Sequence, residues 1–429
     1  MGRLAALLVA RCARRGARDF GGHAMKRTQL LATAATVALL PAAASAIGLD
    51  RSGQDVGVLF SEGNYFEFSA ARAFAHVDGR DVNQYVPGTG IVAFPGGAKS
   101  GDAAGDFNLF GAGLKYELND QWSFAVILDQ PFGSDVKYND GPAIPTPGAD
   151  RSNLLGGTSA SVDSEAITAL ARYKFNDNYS VHGGFHYTRL DADVSLGGLA
   201  FAELNGYKVD FDKDGDFGFV VGAAYERPEL ALRVALTYRQ GTTHKMHTKE
   251  DVPAYFQQFG LPSRITSTTE IDTPDSVNLD FQTGLNEKTL LFGQIRYAWY
   301  EDVKVAPDFF DAVVDPSNDG DSISDIDDGY SLTLGVGRKL TDRLSGSITF
   351  GYEHRDDDDL VSPLSPSNGQ KSIGLGLAYQ ATDQIRIAGG VRYVTLGDAK
   401  PETGTPDVAR AKFDNNHVIV TGMEIGYSF

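Results

Sequence analysis

The chain has 429 residues with a formal net charge of −18 and a single cysteine, Cys12. The length accommodates two or three soluble domains or one large barrel. The acidic balance argues against nucleic acid as a partner, and one cysteine excludes an internal disulfide or a cysteine-based metal site. The 49 glycines, 18 tyrosines and 25 phenylalanines favour β-structure over helices.

Residues 1–46 predict an exported protein. The basic pair Lys26-Arg27 precedes a short apolar stretch, Leu30 to Leu40, which is followed by Ala44-Ser45-Ala46. A basic start, an apolar centre and small exit residues are typical of a cleaved secretory signal peptide. Met25 is the predicted start, and an extended leader is the alternative. We expect no transmembrane helix, because no other stretch of about 18 apolar residues follows.

From residue 63 onward the apolar residues recur with a period of two, as they do in β-strands. In one of the clearest segments Leu232, Val234 and Leu236 alternate with Arg233 and Ala235. Fourteen segments show this pattern and are predicted strands: 63–77, 104–118, 121–138, 161–175, 178–196, 214–226, 229–246, 264–284, 287–303, 329–340, 343–355, 370–381, 384–397 and 412–429.

The connections between these segments alternate in length. Six are tight turns, and the seven others are long. Short periplasmic turns that alternate with long extracellular loops are typical of an outer-membrane barrel with periplasmic termini. The long connections lie near residues 78–103, 139–160, 197–213, 247–263, 304–328, 356–369 and 398–411.

The last strand supports the same fold. Ile425, Tyr427 and Phe429 fall on one face, which resembles the closing strand of a bacterial outer-membrane barrel. Aromatic residues also cluster as a membrane girdle would require. A soluble β-sandwich or propeller, with polar outward residues, is the alternative. We therefore predict an all-β protein of a Gram-negative outer membrane, in which residues 63–429 form a transmembrane antiparallel barrel of about 14 strands.

Three further segments carry a family resemblance. They are residues 48–54 (Gly-Leu-Asp-Arg-Ser-Gly-Gln), 235–239 (Ala-Leu-Thr-Tyr-Arg) and 273–278 (Thr-Pro-Asp-Ser-Val-Asn). Together with the terminal strand they resemble the outer-membrane long-chain fatty-acid transporter family, the FadL type with its TodX relatives. The resemblance implies passive transport of hydrophobic compounds through a barrel that holds an N-terminal hatch, here residues 47–62. This hatch lacks the Asn-Pro-Ala type motif common in that family.

Predicted strand three contains a local irregularity, Gln130-Pro131-Phe132-Gly133. Proline cannot donate to the ladder and is excluded from central strands except at bulges. In the resembled family strand three carries an inward kink that opens a side exit, and the resemblance implies this role for the four residues. The alternative is that the strand ends before Pro131 and a loop begins.

Two long loops carry aromatic residues at helical spacing. Pro253 is predicted to begin a short helix in the first of them. Exposed apolar surface of this kind usually binds a partner, and packing of the loops on each other as a lid is the alternative. The predicted apolar ligand-binding residues are Val252, Tyr255, Phe256, Phe259 and Leu261 in the first loop and Phe309 and Phe310 in the second.

Basic side chains fall on the inward phase of several strands. A cation facing lipid at the bilayer midplane costs about 2–4 kcal/mol, so these side chains are expected in the lumen. A cation there offers a partner for a fatty carboxylate, and a structural lattice of ion pairs is the alternative. The predicted polar ligand-binding residues are Arg172, Arg233 and Arg296.

No motif predicts catalysis or a bound metal, so we expect a non-enzymatic protein without cofactors. The acidic run 210–216 matches the start of an EF-hand loop, but position twelve is Val221 rather than Glu. His182 and His186 are about 13 Å apart along a strand, which is too far for one metal ion. The predicted partners are a hydrophobic small molecule, outer-membrane lipid and lipopolysaccharide. The protein is predicted to be a monomer. A general diffusion porin and a structural or adhesive barrel are the alternative functions.

Overall fold

The computed structural model describes residues 49–429 except 142–143, 315–321, 325, 355–358 and 405–406, so the predicted signal peptide lies outside the described residues. Fourteen antiparallel strands form one closed barrel, and the predicted fold class is confirmed. In the described part of the chain, no helix has both the length and the apolar character needed to cross a membrane. The strands are β1 (Tyr65–His76), β2 (Phe107–Glu117), β3 (Trp122–Asp129 and Gly133–Lys137), β4 (Ser159–Lys174), β5 (Tyr179–Leu196), β6 (Tyr207–Arg227), β7 (Leu232–Arg239 and Thr243–Asp251), β8 (Arg264–Asp272 and Ser276–Asn286), β9 (Thr289–Ala298), β10 (Gly329–Lys339), β11 (Leu344–Glu353), β12 (Gln370–Gln380), β13 (Ile385–Leu396) and β14 (His417–Ser428).

The barrel closes between its first and last strands. β1 pairs with β14 along its whole length, from Tyr65 opposite Ser428 to His76 opposite His417. On its other side β1 pairs with β2. Closure satisfies the backbone groups that an open sheet edge would leave unpaired, which a membrane-spanning sheet requires.

The two faces of the wall differ as a barrel in lipid requires. Outward positions carry large apolar residues, such as Phe68 on β1 and Leu375 on β12, which are 43% and 57% exposed. Inward positions carry glycine, small polar residues and buried charged residues, such as Arg386 and Glu424. Because side chains alternate along each strand, this division follows from the period-two pattern of the sequence.

Three strands, β6, β7 and β8, differ most from the prediction. β6 begins at Tyr207 rather than 214, so the acidic run 210–216 lies in a strand instead of a loop. There Lys249 bonds the Asp212 carboxylate at 2.7 Å, which ties the run to neighbouring β7. β7 and β8 are each interrupted near the same level, and Pro274, which has no N–H group, lies in the β8 interruption.

The long connections carry small elements at one end of the barrel, which we call the loop end. A three-stranded sheet there joins Asp78–Asp81 to Lys99–Asp102 and Ala411–Phe413. Helix α1 (Ala254–Gln257) and helix α2 (Asp308–Val314) lie in the two aromatic loops. Pro253 precedes the first turn of α1 as its N-cap residue. The opposite, turn end carries the tight connections.

Candidate functional site

The segment before β1, residues 49–61, crosses the interior of the barrel and is called here the N-terminal segment. Asp50 forms an ion pair with Arg296 on β9, with an O–N distance of 2.6 Å and both side chains buried. The Ser52 hydroxyl donates to Asp129 on β3 at 2.7 Å. Asn278 on β8 donates to the Gly53 carbonyl at 3.0 Å. The segment is therefore attached to several parts of the wall at once.

The far end of the N-terminal segment places an aromatic ring between two cations. The guanidinium groups of Arg172 on β4 and Arg233 on β7 each lie 4.6 Å from the centre of the Phe60 ring. Arg172 also forms an ion pair with Glu226 on β6. The Lys115 ammonium donates to the Ser61 carbonyl at 2.5 Å. The three arginines predicted to bind a ligand thus contact the N-terminal segment in this structure.

Strand three is interrupted at the predicted residues. Asp129 lies opposite Ala166 on β4, and Gly133 lies opposite Asp163. Four residue steps on β3 therefore match three on β4, which is the geometry of a β-bulge. Ser164 bridges the bulge, because its hydroxyl accepts from the Phe132 N–H at 2.7 Å and donates to the Phe132 carbonyl at 2.6 Å.

Between β2 and β3 the backbone ladder has a gap, which we call the window. The ladder ends at the pair Ala112–Leu128 and resumes where the Gly105 N–H donates to the Asp135 carbonyl at 3.0 Å. Residues 106–111 thus face residues 129–134 without ladder pairs, over about 20 Å of strand. One bond crosses this gap, from the Phe110 N–H to the Gln130 side-chain oxygen at 2.9 Å.

The bulged residues pair instead with the N-terminal segment. The Arg51 N–H donates to the Pro131 carbonyl at 2.7 Å, and the Gly133 N–H donates to the Leu49 carbonyl at 2.9 Å. The Arg51 guanidinium lies 4.4 Å from the centre of the Phe107 ring on β2. Arg51 therefore spans the inner side of the window from β3 to β2.

Apolar residues fill the interior at the loop end. The buried part includes Phe309 and Phe310 of α2, which pack around Tyr207 with ring centroids 5.9 and 5.8 Å away. Phe256 of α1 meets Phe309 edge-on at 5.3 Å. We call this set the loop-end cluster, and its buried members are Ala160, Leu190, Val194, Leu196, Tyr207, Val209, Phe211, Met246, Val252, Ile271, Phe309, Phe310 and Ile323.

One carboxylate lies within this apolar cluster. Glu250 on β7 is fully buried and accepts from the Tyr207 hydroxyl at 2.7 Å. It also accepts the N–H groups of Phe309 and Phe310 at 3.0 and 3.1 Å, in the first turn of α2.

The predicted loop residues separate into two groups. Val252, Phe256, Phe309 and Phe310 join the loop-end cluster. The other three face outward, because Tyr255, Phe259 and Leu261 are 45%, 67% and 36% exposed.

Several residues of the site were missed from the sequence, notably Asp50, Arg51, Ser164 and Glu250. A buried partner distinguishes each of them, and the sequence contains no local signal of such a partner. The strand-three proline was the one signal of the bulge itself.

His182 and His186 lie inward and buried, bonded to threonine hydroxyls. No group of three or more potential metal ligands occurs in the described ranges.

Comparison with known proteins places this barrel in a family. A family model described as "Outer membrane protein transport protein (OMPP1/FadL/TodX)" matches residues 62–429. No curated protein sequence matches the chain.

Solved structures share the fold at low sequence identity. A Pseudomonas aeruginosa FadL homologue is 15% identical with a TM-score of 0.63, covering 87% of this chain and 92% of its own. The Pseudomonas putida toluene transporter TodX is 11% identical with a TM-score of 0.55, covering 89% and 97%. The Ralstonia pickettii toluene transporter TbuX is 10% identical with a TM-score of 0.53, covering 87% and 91%. The chain therefore belongs to the OMPP1/FadL/TodX family of outer-membrane transport proteins, as the sequence resemblance predicted.

Proposed function

We propose that the protein is a passive channel for long-chain fatty acids or similar lipids, which leave the barrel sideways through the window. The observation that carries the lateral route is the gap between residues 106–111 and residues 129–134. Backbone groups without partners in hydrocarbon cost several kcal/mol each. A barrel without lateral traffic would gain stability by closing this gap, so its presence supports a transport role.

The route begins at the outer surface. Tyr255, Phe259 and Leu261 present an exposed apolar surface on the first aromatic loop, suited to capturing a hydrophobic compound. The loop-end cluster lies beneath the loops and continues the apolar path inward. Two structural neighbours are named toluene transporters, which supports a hydrophobic cargo without choosing between hydrocarbons and fatty acids.

Residues 47–62 act in this proposal as the hatch. The described part, from residue 49, bonds β3, β8 and β9 and pairs with the bulge. Cargo descending the lumen meets this hatch and is turned toward the window beside it. Arg172, Arg233 and Arg296 bind a carboxylate in this proposal only after leaving their present partners. The protein acts as a monomer, with lipopolysaccharide around its outer rim.

Cross-linking the window tests the lateral route. Asn108→Cys on β2 and Gln130→Cys on β3 place thiols on its two sides, and a short reducible bifunctional reagent joins them. The only native cysteine, Cys12, lies in the predicted leader. Cells carrying the joined variant should take up labelled oleate and toluene no faster than deletion cells, and reduction should restore uptake.

A matched pair controls for the reagent. Lys371 and Thr395 are register partners on β12 and β13, where the wall is already continuous. The same reagent across Lys371→Cys and Thr395→Cys should leave uptake unchanged. If fully cross-linked window variants transport normally, the lateral route is wrong and the cargo passes elsewhere.

A further inference from the structure

A patch of the lumen wall beside the window is apolar and is separate from the loop-end cluster. We call it the lumen patch, and it is formed by four adjacent strands, β13, β14, β1 and β2. Its buried members are Ala71, Ala73, Leu109, Val394, Val418 and Val420, with Ala75, Phe107 and Leu396 packed against them.

One straight row of directly opposed residues crosses this patch. Arg392 on β13 lies opposite Val420 on β14, and Val420 lies opposite Ala73 on β1. Ala73 in turn lies opposite Phe107 on β2, at the window and under Arg51. Three strand spacings, about 14 Å, therefore separate Arg392 from the edge of the window.

Arg392 is a buried cation without a partner. Its side chain is 5% exposed, and it makes no hydrogen bond or ion pair within 4 Å with any residue that the structure describes. The other inward cations differ, since Arg296 pairs with Asp50, Arg386 pairs with Glu424, and Arg239 bonds the Thr168 hydroxyl. A buried charge is normally paired, because its desolvation is otherwise uncompensated.

The surroundings of Arg392 suit a small anionic group. On the side of Arg392 away from Val420, the directly opposed residue is Gly374 on β12. Gly374 in turn lies opposite Thr349 on β11. The Thr349 hydroxyl leans over Gly374, where a Cβ would overlap it. An anion above this glycine would meet a guanidinium from one side and a hydroxyl from the other.

The next row gives an apolar tail room to enter. It consists of residues with no side chain or only a methyl group, which are Gly376, Gly390, Gly422 and Ala71. The patch itself is closed to solvent in this structure, with Ala73 fully buried and Val420 2% exposed. A bound tail would therefore displace packed side chains toward the glycine row.

We propose that Arg392 and the lumen patch form a binding site for an amphipathic monocarboxylate, with its carboxylate on Arg392 and its tail along Val420 and Ala73 toward Phe107. The proposal deepens the proposed function by assigning the cargo's charged end. It differs from the predicted group Arg172, Arg233 and Arg296, whose members already contact other groups. A ligand held in this row has its tail directed at the window.

The test compares dodecanoate with 1-dodecanol as probes of the full-length protein in lipid nanodiscs. Native protein should bind dodecanoate more tightly, and Arg392→Met should weaken dodecanoate binding roughly 10-fold or more, the value expected for a charge-assisted bond. Dodecanol binding should stay unchanged. Arg392→Lys should recover much of the preference, and Arg227→Met, which removes an exposed cation at the turn end, should have no effect.

Equal affinity of the native protein for the two probes would overturn the proposal without any variant. Equal loss for both probes in Arg392→Met would do the same. Because Arg392 is unpaired, its replacement by methionine should leave thermal stability unchanged or raised, and a large drop would reveal a structural role instead. None of these outcomes bears on the window, which the cross-linking experiment decides separately.

Discussion

At the loop end of the barrel one buried carboxylate, Glu250, joins three segments. Its partners are the Tyr207 hydroxyl on β6 and two N–H groups in the first turn of α2, those of Phe309 and Phe310. Helix α2 has only seven residues, so few bonds of its own hold it in place. We infer that Glu250 fixes α2 over the loop-end cluster.

Glu250→Ala should therefore loosen α2 without unfolding the barrel. The change leaves a hydroxyl and two N–H groups without partners in an apolar site, at about 1–3 kcal/mol each. Hydrogen exchange at residues 309–314 should accelerate, while the main thermal transition of the barrel moves little. Glu270→Ala, which removes an exposed carboxylate on β8, is the matched control. Unchanged protection of α2 in Glu250→Ala would contradict this role.

At the scale of elements, the bulge of β3 and the N-terminal segment form one unit. The backbone of residues 49–51 replaces the ladder partner that β2 does not provide to the bulge. Gly133 allows this approach, because a Cβ there would overlap the Arg51 guanidinium.

A double-mutant cycle measures this contact. Gly133→Val should displace the Arg51 side chain from Phe107 and lower the unfolding temperature. In an Arg51→Ala background the same substitution should have a smaller effect, since the obstructing group is gone. Equal effects of Gly133→Val in both backgrounds would show that Arg51 is not coupled to the bulge.

The elements themselves were largely predictable, and the reason is physical. Lipid outside and polar groups inside impose a strict period of two, which the sequence displays along nearly every strand. The start of β6 was predicted too late, because an acidic run resembles a loop until Lys249 on the next strand is seen to neutralise Asp212. Pro131 marked the bulge through a local rule. Its pairing with residues 49–51 joins positions about eighty residues apart, and no local pattern encodes that contact.

At the scale of the whole molecule, a short segment crosses the interior of a wide barrel and bonds to its wall. A fourteen-stranded wall encloses more space than its own side chains fill, so permeability depends on what lies within. Asp50 and Arg296 form the most buried of the ion pairs between the N-terminal segment and the wall. Breaking such a pair costs about 3–5 kcal/mol, because one charge remains buried and unpaired. Breaking this pair should therefore change the ion current through a plugged channel but not through a general diffusion porin.

For a plugged channel, Asp50→Ala should release the N-terminal segment and open a conducting path. Native protein in planar bilayers should show little steady current, and Asp50→Ala should show frequent or sustained openings. Arg296→Met in the Asp50→Ala background should reduce the leak in part, since it removes the orphaned charge that drives the segment away. Asp212→Ala makes the same change in net charge at the loop end, away from the segment, and should remain closed. Large, steady currents through the native protein would instead identify a porin, because an open lumen has no segment for the Asp50 substitution to release.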